Sequence, residues 1–219
     1  MLSELSQCLQ RIVVISGRDI DFLVSRLPLP DAVFIGNHGL EERTGGASHV
    51  LAEAQPYLKR LRRAADAVAA LPQARAPGII VERKQAAISV HFRQAADPSA
   101  SAAALHSPMQ EIARQEQLQL QPGRLVWELR PPIAIDKGAV LDRLAADLQP
   151  AAIVYAGDDR TDAQAFSALK RMRDVRTIAV GVRSQEVPAE VFVDCDLMVD
   201  GVPGVTQLLR QLLDVCAGP

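Results

Sequence analysis

The sequence predicts an α/β fold in which a parallel-sheet core is interrupted by an inserted α+β module. Three observations carry this expectation. Short apolar runs at 12–15, 32–35 and 153–156 have the length of buried strands, and each runs into a turn at Gly17, Gly36 or Gly157. Helical-period segments alternate with these runs, as in strand–helix–strand units. Between 43 and 131 the rhythm changes to one-sided strands flanked by long helices. The expected division is therefore a discontinuous core, 1–42 with 132–219, and a module over 43–131.

The elements follow in order. Residues 3–10 read as a helix leading to the strand at 12–15. Ile20, Leu23, Val24 and Leu27 follow helical spacing, and Pro28 and Pro30 stop that helix. The strand at 32–35 ends in Gly36-Asn37-His38-Gly39. Leu51, Leu58, Leu61, Val68 and Leu71 predict one long helix with a charged outer face. Residues 79–84 and 87–93 predict two strands. In the second, Ile88, Val90 and Phe92 alternate with Ser89, His91 and Arg93. A two-residue turn at Gln85-Ala86 would pair Lys84 with Ala87 and Glu82 with Ser89, so Glu82, Lys84, His91 and Arg93 would share a face. The Ala- and Ser-rich stretch 94–107 reads as a loop entering a helix over about 102–117. A strand over 124–130 follows, and Pro131-Pro132 forms a stiff joint. Asp136-Lys137-Gly138 opens a helix carrying Val140, Leu141, Leu144 and Leu148. After the 153–156 strand, Thr161 and Gln164 fit a capping box at the next helix start. Strands at 177–180 and 197–199 and a helix over 205–215 complete the core.

Bulk properties exclude several classes. Net charge is −2 and the sequence pI about 6.1, which leaves no electrostatic footprint for nucleic acid. No apolar run is long enough for a membrane span, and the N-terminus lacks the pattern of a signal peptide. Cys8, Cys195 and Cys216 match no zinc spacing and read as reduced thiols of a cytoplasmic protein. Oligomeric state is not readable.

The groups able to do chemistry lie at strand ends. Asp158, Asp159 and Asp162 follow the 153–156 strand, where open α/β sheets bind ligands. Three close carboxylates repel one another unless a cation lies between them, and hard oxygen ligands suit Mg²⁺. Ser16 precedes Gly17 at another strand end, where a hydroxyl and backbone amides can meet an anion. Lys137 stands at a helix start, which disfavours a cation unless an anion is near. Glu82, Lys84, His91, Arg93, Glu128 and Arg130 are charged groups on the module's strands. Such a mixed face suits a polyhydroxy ligand, whose hydroxyls both donate and accept. Taken singly, each also fits an ordinary polar turn or solvated face.

In their order along the chain, Ser16, inserted module, Lys137 and Asp158-Asp159-x-x-Asp162 resemble the haloacid-dehalogenase (HAD) phosphatase superfamily. The finer motifs are Val14-Ile15-Ser16-Gly17-Arg18, Asn37-His38-Gly39-Leu40-Glu41 and Val81-Glu82-Arg83-Lys84 with His91-Phe92-Arg93. Glu128-Leu129-Arg130-Pro131, Asp136-Lys137-Gly138 and Gly157-Asp158-Asp159-Arg160-Thr161-Asp162 complete them. Together they resemble trehalose-6-phosphate phosphatases over nearly the whole chain. The resemblance implies a HAD-like Rossmannoid core with an α+β cap, and Mg²⁺-dependent hydrolysis of trehalose 6-phosphate through an aspartyl-phosphate. It implies Ser16 and Lys137 on the phosphoryl group, Asp158 and Asp159 on Mg²⁺, and Asp162 orienting them. The cap residues Glu82, Lys84, His91, Arg93 and Glu128 would grip the disaccharide, supported by Arg18, His38 and Arg130. Other capped sugar phosphatases, or a catalytically dead sugar-phosphate-binding subunit, are the alternatives.

One departure is plain. The family opens with a strand ending in Asp-x-Asp-Gly-Thr, whose first Asp is the nucleophile and second the acid/base. Only 15 residues precede Ser16, and none is Asp. The first strand and its motif are thus expected to be missing, leaving the chain as given without phosphatase turnover. That strand would lie between those at 12–15 and 153–156. Asp19-Ile20-Asp21 has similar spacing but reads as an acidic helix start.

Overall fold

The computed structural model describes residues 1–184 and 187–217, so positions 185–186 and 218–219 of the expected core segment lie outside the described residues. Helix α1 (Leu2–Cys8) leads to β1 (Val13–Ile15), α2 (Ile20–Arg26) and β2 (Val33–Gly36), with β2 parallel to β1. Asp19 caps α2, its side chain accepting from Phe22 N, so the Asp19/Asp21 pair serves a helix start as expected. A hairpin of β3 (Glu41–Thr44) and β4 (Ala47–Val50) then extends the sheet, with β3 antiparallel to β2. The sequence reading missed this hairpin. Its signal was Gly45-Gly46, which take φ of 58° and 84° in the tight turn. The boundary expected at 42/43 falls inside β3.

The long helix expected from Leu51 is divided. A 3₁₀ stretch with Pro56 inside it precedes α3 (Leu58–Ala70), because proline cannot donate in the helix ladder. Strands β5 (Ile80–Arg83) and β6 (Ile88–His91) pair with Glu82 opposite Ser89, and Lys84 N donates to Ala87 O, as the two-residue turn predicted. Helix α4 (Pro98–Glu116) starts earlier than expected. Asp97 caps it and Pro98 fits its first turn, which outweighs the Ala/Ser composition read as a loop. Strand β7 (Gln119–Gly123), also unforeseen, pairs with β8 (Val126–Arg130) to give the order β5-β6-β8-β7. Leu61, Val68, Ile88, Val90, Leu105, Met109 and Leu129 form a core beneath this sheet.

Helix α5 (Lys137–Leu148), capped by Asp136, returns the chain to β9 (Ala152–Gly157), α6 (Asp162–Arg171), β10 (Arg176–Arg183), β11 (Leu197–Asp200) and α7 (Gly201–Ala217). Strands β9, β10 and β11 form a separate parallel sheet, β11-β10-β9. Among the described residues, no strand joins β1 to β9. Helix α5 spans the two sheets. Its Val140 and Leu144 pack with Val33 and Ile35, and its Leu141 packs with Phe166 and Leu169. Each such buried side chain contributes about 1.5–3 kcal/mol, so the sheets are held by this helix rather than by a shared ladder.

Candidate active site

The C-terminal ends of β1 and β9 meet under the inserted module, and two polar clusters form there. The first surrounds Asp162 at the start of α6. Its carboxylate is buried, 2% exposed, and both oxygens accept hydrogen bonds. Oδ1 accepts from Lys137 Nζ at 2.6 Å and from Tyr155 Oη at 2.5 Å. Oδ2 accepts from the backbone N–H groups of Asp158 and Asp159, each at 2.9 Å. Gly157 is needed here because a Cβ would stand 2.3 Å from the Asp162 carboxyl carbon.

Lys137 is 7% exposed and also donates to Asp159 Oδ2 at 3.3 Å. An ammonium has three donors, so one remains for a ligand. Asp159 Oδ1 accepts from Thr161 N, Thr161 Oγ1 and Asp162 N. Burial pushes the Asp159 carboxyl up, but the Thr161 hydroxyl and the Lys137 ammonium outweigh it and leave the group below its ordinary range. The Thr161/Gln164 capping box expected from sequence does not form. Thr161 has helical backbone angles and makes no side-chain cap, because Asp159 takes its hydroxyl and caps the turn instead.

The second cluster joins module to core. Lys84 Nζ donates to Glu128 Oε1 at 2.8 Å and to Gly17 O at 3.3 Å. Ser89 Oγ donates to the same Glu128 oxygen at 2.7 Å. Burial alone would raise Glu128, but the Lys84 charge and the hydrogen bonds from Lys84 and Ser89 set its carboxyl below the usual value. The His38 ring lies against Gly17, where a Cβ would be 2.4 Å from its Cε1, and Nε2 is 3.7 Å from Glu128 Oε2. Burial first, then the positive charge of Arg130, pull His38 down to about 4, against the raising effect of Glu128. The charges of Lys84 and Lys137 add to the lowering. A third contact ties module and core: buried Glu41 accepts from Asn37 Nδ2 at 2.5 Å and from Ala86 N at 3.0 Å. Burial raises Glu41, and these hydrogen bonds oppose the rise.

The predicted residues thus divide. Lys137, Asp159 and Asp162 come together, as do His38, Lys84 and Glu128. Arg130 is buried and donates to Gln121 Oε1 at 3.1 Å. Ser16 directly follows β1 and its Oγ accepts from Arg18 N at 3.2 Å, leaving its O–H to donate. Glu82 and His91 pair with each other at 2.8 Å. One expectation needs correction. Arg93 is not on a strand: β6 ends at His91, and Arg93 lies exposed in the following turn. The Arg18 guanidinium lies over the Phe22 ring, 5.0 Å from its centre, on α2.

The Mg²⁺ expectation fits only in part. Asp159 and Asp162 spend their oxygens on internal donors, and among the described residues no three His, Cys, Asp or Glu side chains are arranged to hold a metal. Asp158 and Asp159 do not complete an ion's shell by themselves. Sequence reasoning also gave no role to Tyr155, Ser89, Asn37 and Glu41, although the last two stand in a quoted motif. Their signal was a hydroxyl, amide or carboxylate inside an apolar or strand segment, where burial demands a partner.

The sequence profile of the trehalose-phosphatase family matches residues 1–195. The trehalose-phosphate phosphatase of Mycobacterium bovis is 36% identical over 171 residues, which cover 72% of this chain and 41% of that protein. An uncharacterised glycosyl hydrolase of Mycobacterium tuberculosis is 36% identical over 169 residues, 73% of this chain and 12% of that protein. The chain thus spans less than half the length of these relatives. A solved trehalose-6-phosphate phosphatase related protein superposes with a TM-score of 0.79 at 22% identity, covering 98% of this chain and 85% of the other. The C-terminal domain of the Candida albicans trehalose synthase regulatory protein superposes at 0.64 with 14% identity, covering 96% and 86%. At these identities the superpositions establish a HAD-like fold.

Proposed function

The chain belongs to the trehalose-phosphatase family, and from that premise we propose that it forms the phosphoryl- and sugar-binding part of a trehalose-6-phosphate phosphatase. The observation that carries this reading is the buried Lys137 ammonium, fixed by Asp162 and Asp159 beside the end of β1 with one donor to spare. Lys137 and the Ser16 hydroxyl hold phosphoryl oxygens. Asp162 positions Lys137 and, through two backbone amides, the Asp158-Asp159 turn. The segment between β4 and α5 acts as the cap, and the β3–β4 hairpin stays with the core sheet. The cap's Lys84, Glu128, Glu82 and His91 present donors and acceptors to the disaccharide, and closure excludes water. Mg²⁺ needs oxygen ligands beyond Asp158 and Asp159, and the nucleophilic carboxylate is not among the residues gathered here.

Isothermal titration tests the binding half of the proposal. Trehalose 6-phosphate is expected to bind more tightly than trehalose or inorganic phosphate, with the gain lost in Lys137→Met. Equal affinity for trehalose and its phosphate would refute it, and preference for another sugar phosphate would move the reading to a different capped phosphatase. Residues 1–219 alone are expected to show no turnover above background with Mg²⁺; turnover abolished by Asp158→Asn would contradict this.

A further inference from the structure

Hairpin turns normally lie at the surface. The turn between β5 and β6 does not. Its Ala86 and Ala87 are 0% and 1% exposed, and Ala86 packs with Leu40, Val50 and Ala54, with Ile133 and Ile135 beside them. Backbone groups in such a seat need partners. Lys84 N donates to Ala87 O within the turn, whereas Ala86 N finds its acceptor outside it, in Glu41 Oε1 at 3.0 Å. The same oxygen accepts from Asn37 Nδ2. One atom thus receives a donor from the inserted module and a donor from the core.

The core donor is itself fixed. Asn37 takes the left-handed conformation, φ 46°, which asparagine tolerates. Its backbone N donates to Arg18 O at 2.8 Å, and His38 N donates to Ser16 O at 3.0 Å. The turn that carries Ser16 is therefore tied to Asn37. On the module's side, two residues before Ala86, Lys84 Nζ donates to Gly17 O of that same turn. The contacts close a ring. It runs from Glu41 to Ala86, along the chain to Lys84, across to Gly17, along to Arg18, across to Asn37 and back to Glu41.

Such a ring fixes position more than it adds stability. Glu41 is 2% exposed, and burial pushes its carboxyl up against the hydrogen bonds from Asn37, Ala86 and Ile20. A buried carboxylate costs more than an apolar side chain of similar size. What it supplies is an acceptor at the one point where donors from two units meet.

We infer that Glu41 is a positioning residue for Lys84: by holding Ala86 N and Asn37 Nδ2 on one oxygen, it sets the Lys84 ammonium against Gly17 O. Glu128 and Gly17 O take two of the ammonium's three donors, and the third is left for a hydroxyl of the bound sugar. That last step rests on the functional reading above; the placement of Lys84 does not.

Two measurements on residues 1–219 test this. The first needs no ligand. The Lys84 side chain is 6% exposed, so its ammonium should give a slowly exchanging NMR signal, and the Ala86 amide should exchange slowly as well. Glu41→Met keeps the stem length and removes the acceptor. The Ala86 amide should then exchange at least about tenfold faster, and the Lys84 signal should be lost. Glu41→Gln keeps an oxygen for both donors and should restore both readouts. An ester in place of the Ala86 amide removes that donor alone and leaves Glu41 on Asn37. It should also abolish the Lys84 signal, and it decides the matter even if Glu41→Met does not fold. The second measurement is titration with trehalose 6-phosphate. Glu41→Met and Lys84→Met should each weaken binding about tenfold, and the double variant should bind no worse than the weaker single one. A Lys84 signal unchanged in Glu41→Met or in the ester, or losses that multiply in the double variant, would overturn the inference. A parent chain that binds trehalose and its phosphate equally would refute the functional reading, and the Lys84 signal would still decide the role of Glu41.

Discussion

Replacing Lys137 by Met tests the polar centre most directly. The substitution keeps the stem's length and removes the ammonium from a site that is 7% exposed. Asp162 then loses its 2.6 Å partner in a buried environment. Breaking a buried ion pair costs about 3–5 kcal/mol when the remaining charge has no compensation. Here Asp162 keeps three donors: the Tyr155 hydroxyl and the amides of Asp158 and Asp159. The loss is therefore nearer that of one charged hydrogen bond, about 2–3 kcal/mol. For a chain of this size that lowers Tm by about 4–12 °C. Calorimetry of the parent, Lys137→Met, Asp162→Asn and the double variant gives the coupling. Single losses that exceed the double loss relative to additivity by about 1 kcal/mol or more are expected. A Lys137→Met protein as stable as the parent, or strict additivity, would refute the claim that these two groups form one buried unit.

Three further outcomes follow from the geometry. His38 is held near 4, below its unfolded value of about 6.5. The unfolded chain therefore takes up the proton first, and stability falls as pH drops from about 6.5 to 4, by at most about 1.4 kcal/mol per pH unit. His38→Asn, which tolerates the observed φ of 57°, should flatten that limb in Tm measured against pH; an unchanged slope would contradict the assignment. Gly17→Ala drives a methyl into the His38 ring and should destabilise by about 1–3 kcal/mol, with recovery in Gly17→Ala/His38→Ala by urea unfolding; no recovery would exclude the ring as the obstacle. Addition of 10 mM Mg²⁺ to residues 1–219 should raise Tm by less than about 1 °C, and a larger shift by scanning fluorimetry would show that Asp158 and Asp159 hold the ion without further ligands.

Much of the core was legible because its signals are local. The apolar run before Gly157, the helical spacing of Ile20, Leu23 and Leu27, and the Gln85-Ala86 turn each depend on residues close in sequence. The register of β5 and β6 followed from that turn alone. The β3–β4 hairpin was missed despite its local Gly45-Gly46 signal, and other failures came where a distant or unexpected partner decided the outcome. Thr161 looked like a helix cap until Asp159 claimed its hydroxyl. Tyr155 looked like one more apolar strand residue, although its hydroxyl bonds Asp162 and burial pushes it well above the ordinary phenol value.

The sequence by itself determined most of the order of strands and helices, apart from β3, β4 and β7, and the residue types at each strand end, because period, turn chemistry and capping act over a few positions. Only the tertiary structure decided what those residues meet. It put Lys137 on Asp162, Lys84 on both Glu128 and Gly17 O, and Glu41 under the Ala86 amide. It also left β1 and β9 as two open edges spanned by α5. Such contacts close over tens of residues, and they are fixed by burial and by the requirement that every buried polar group find a partner.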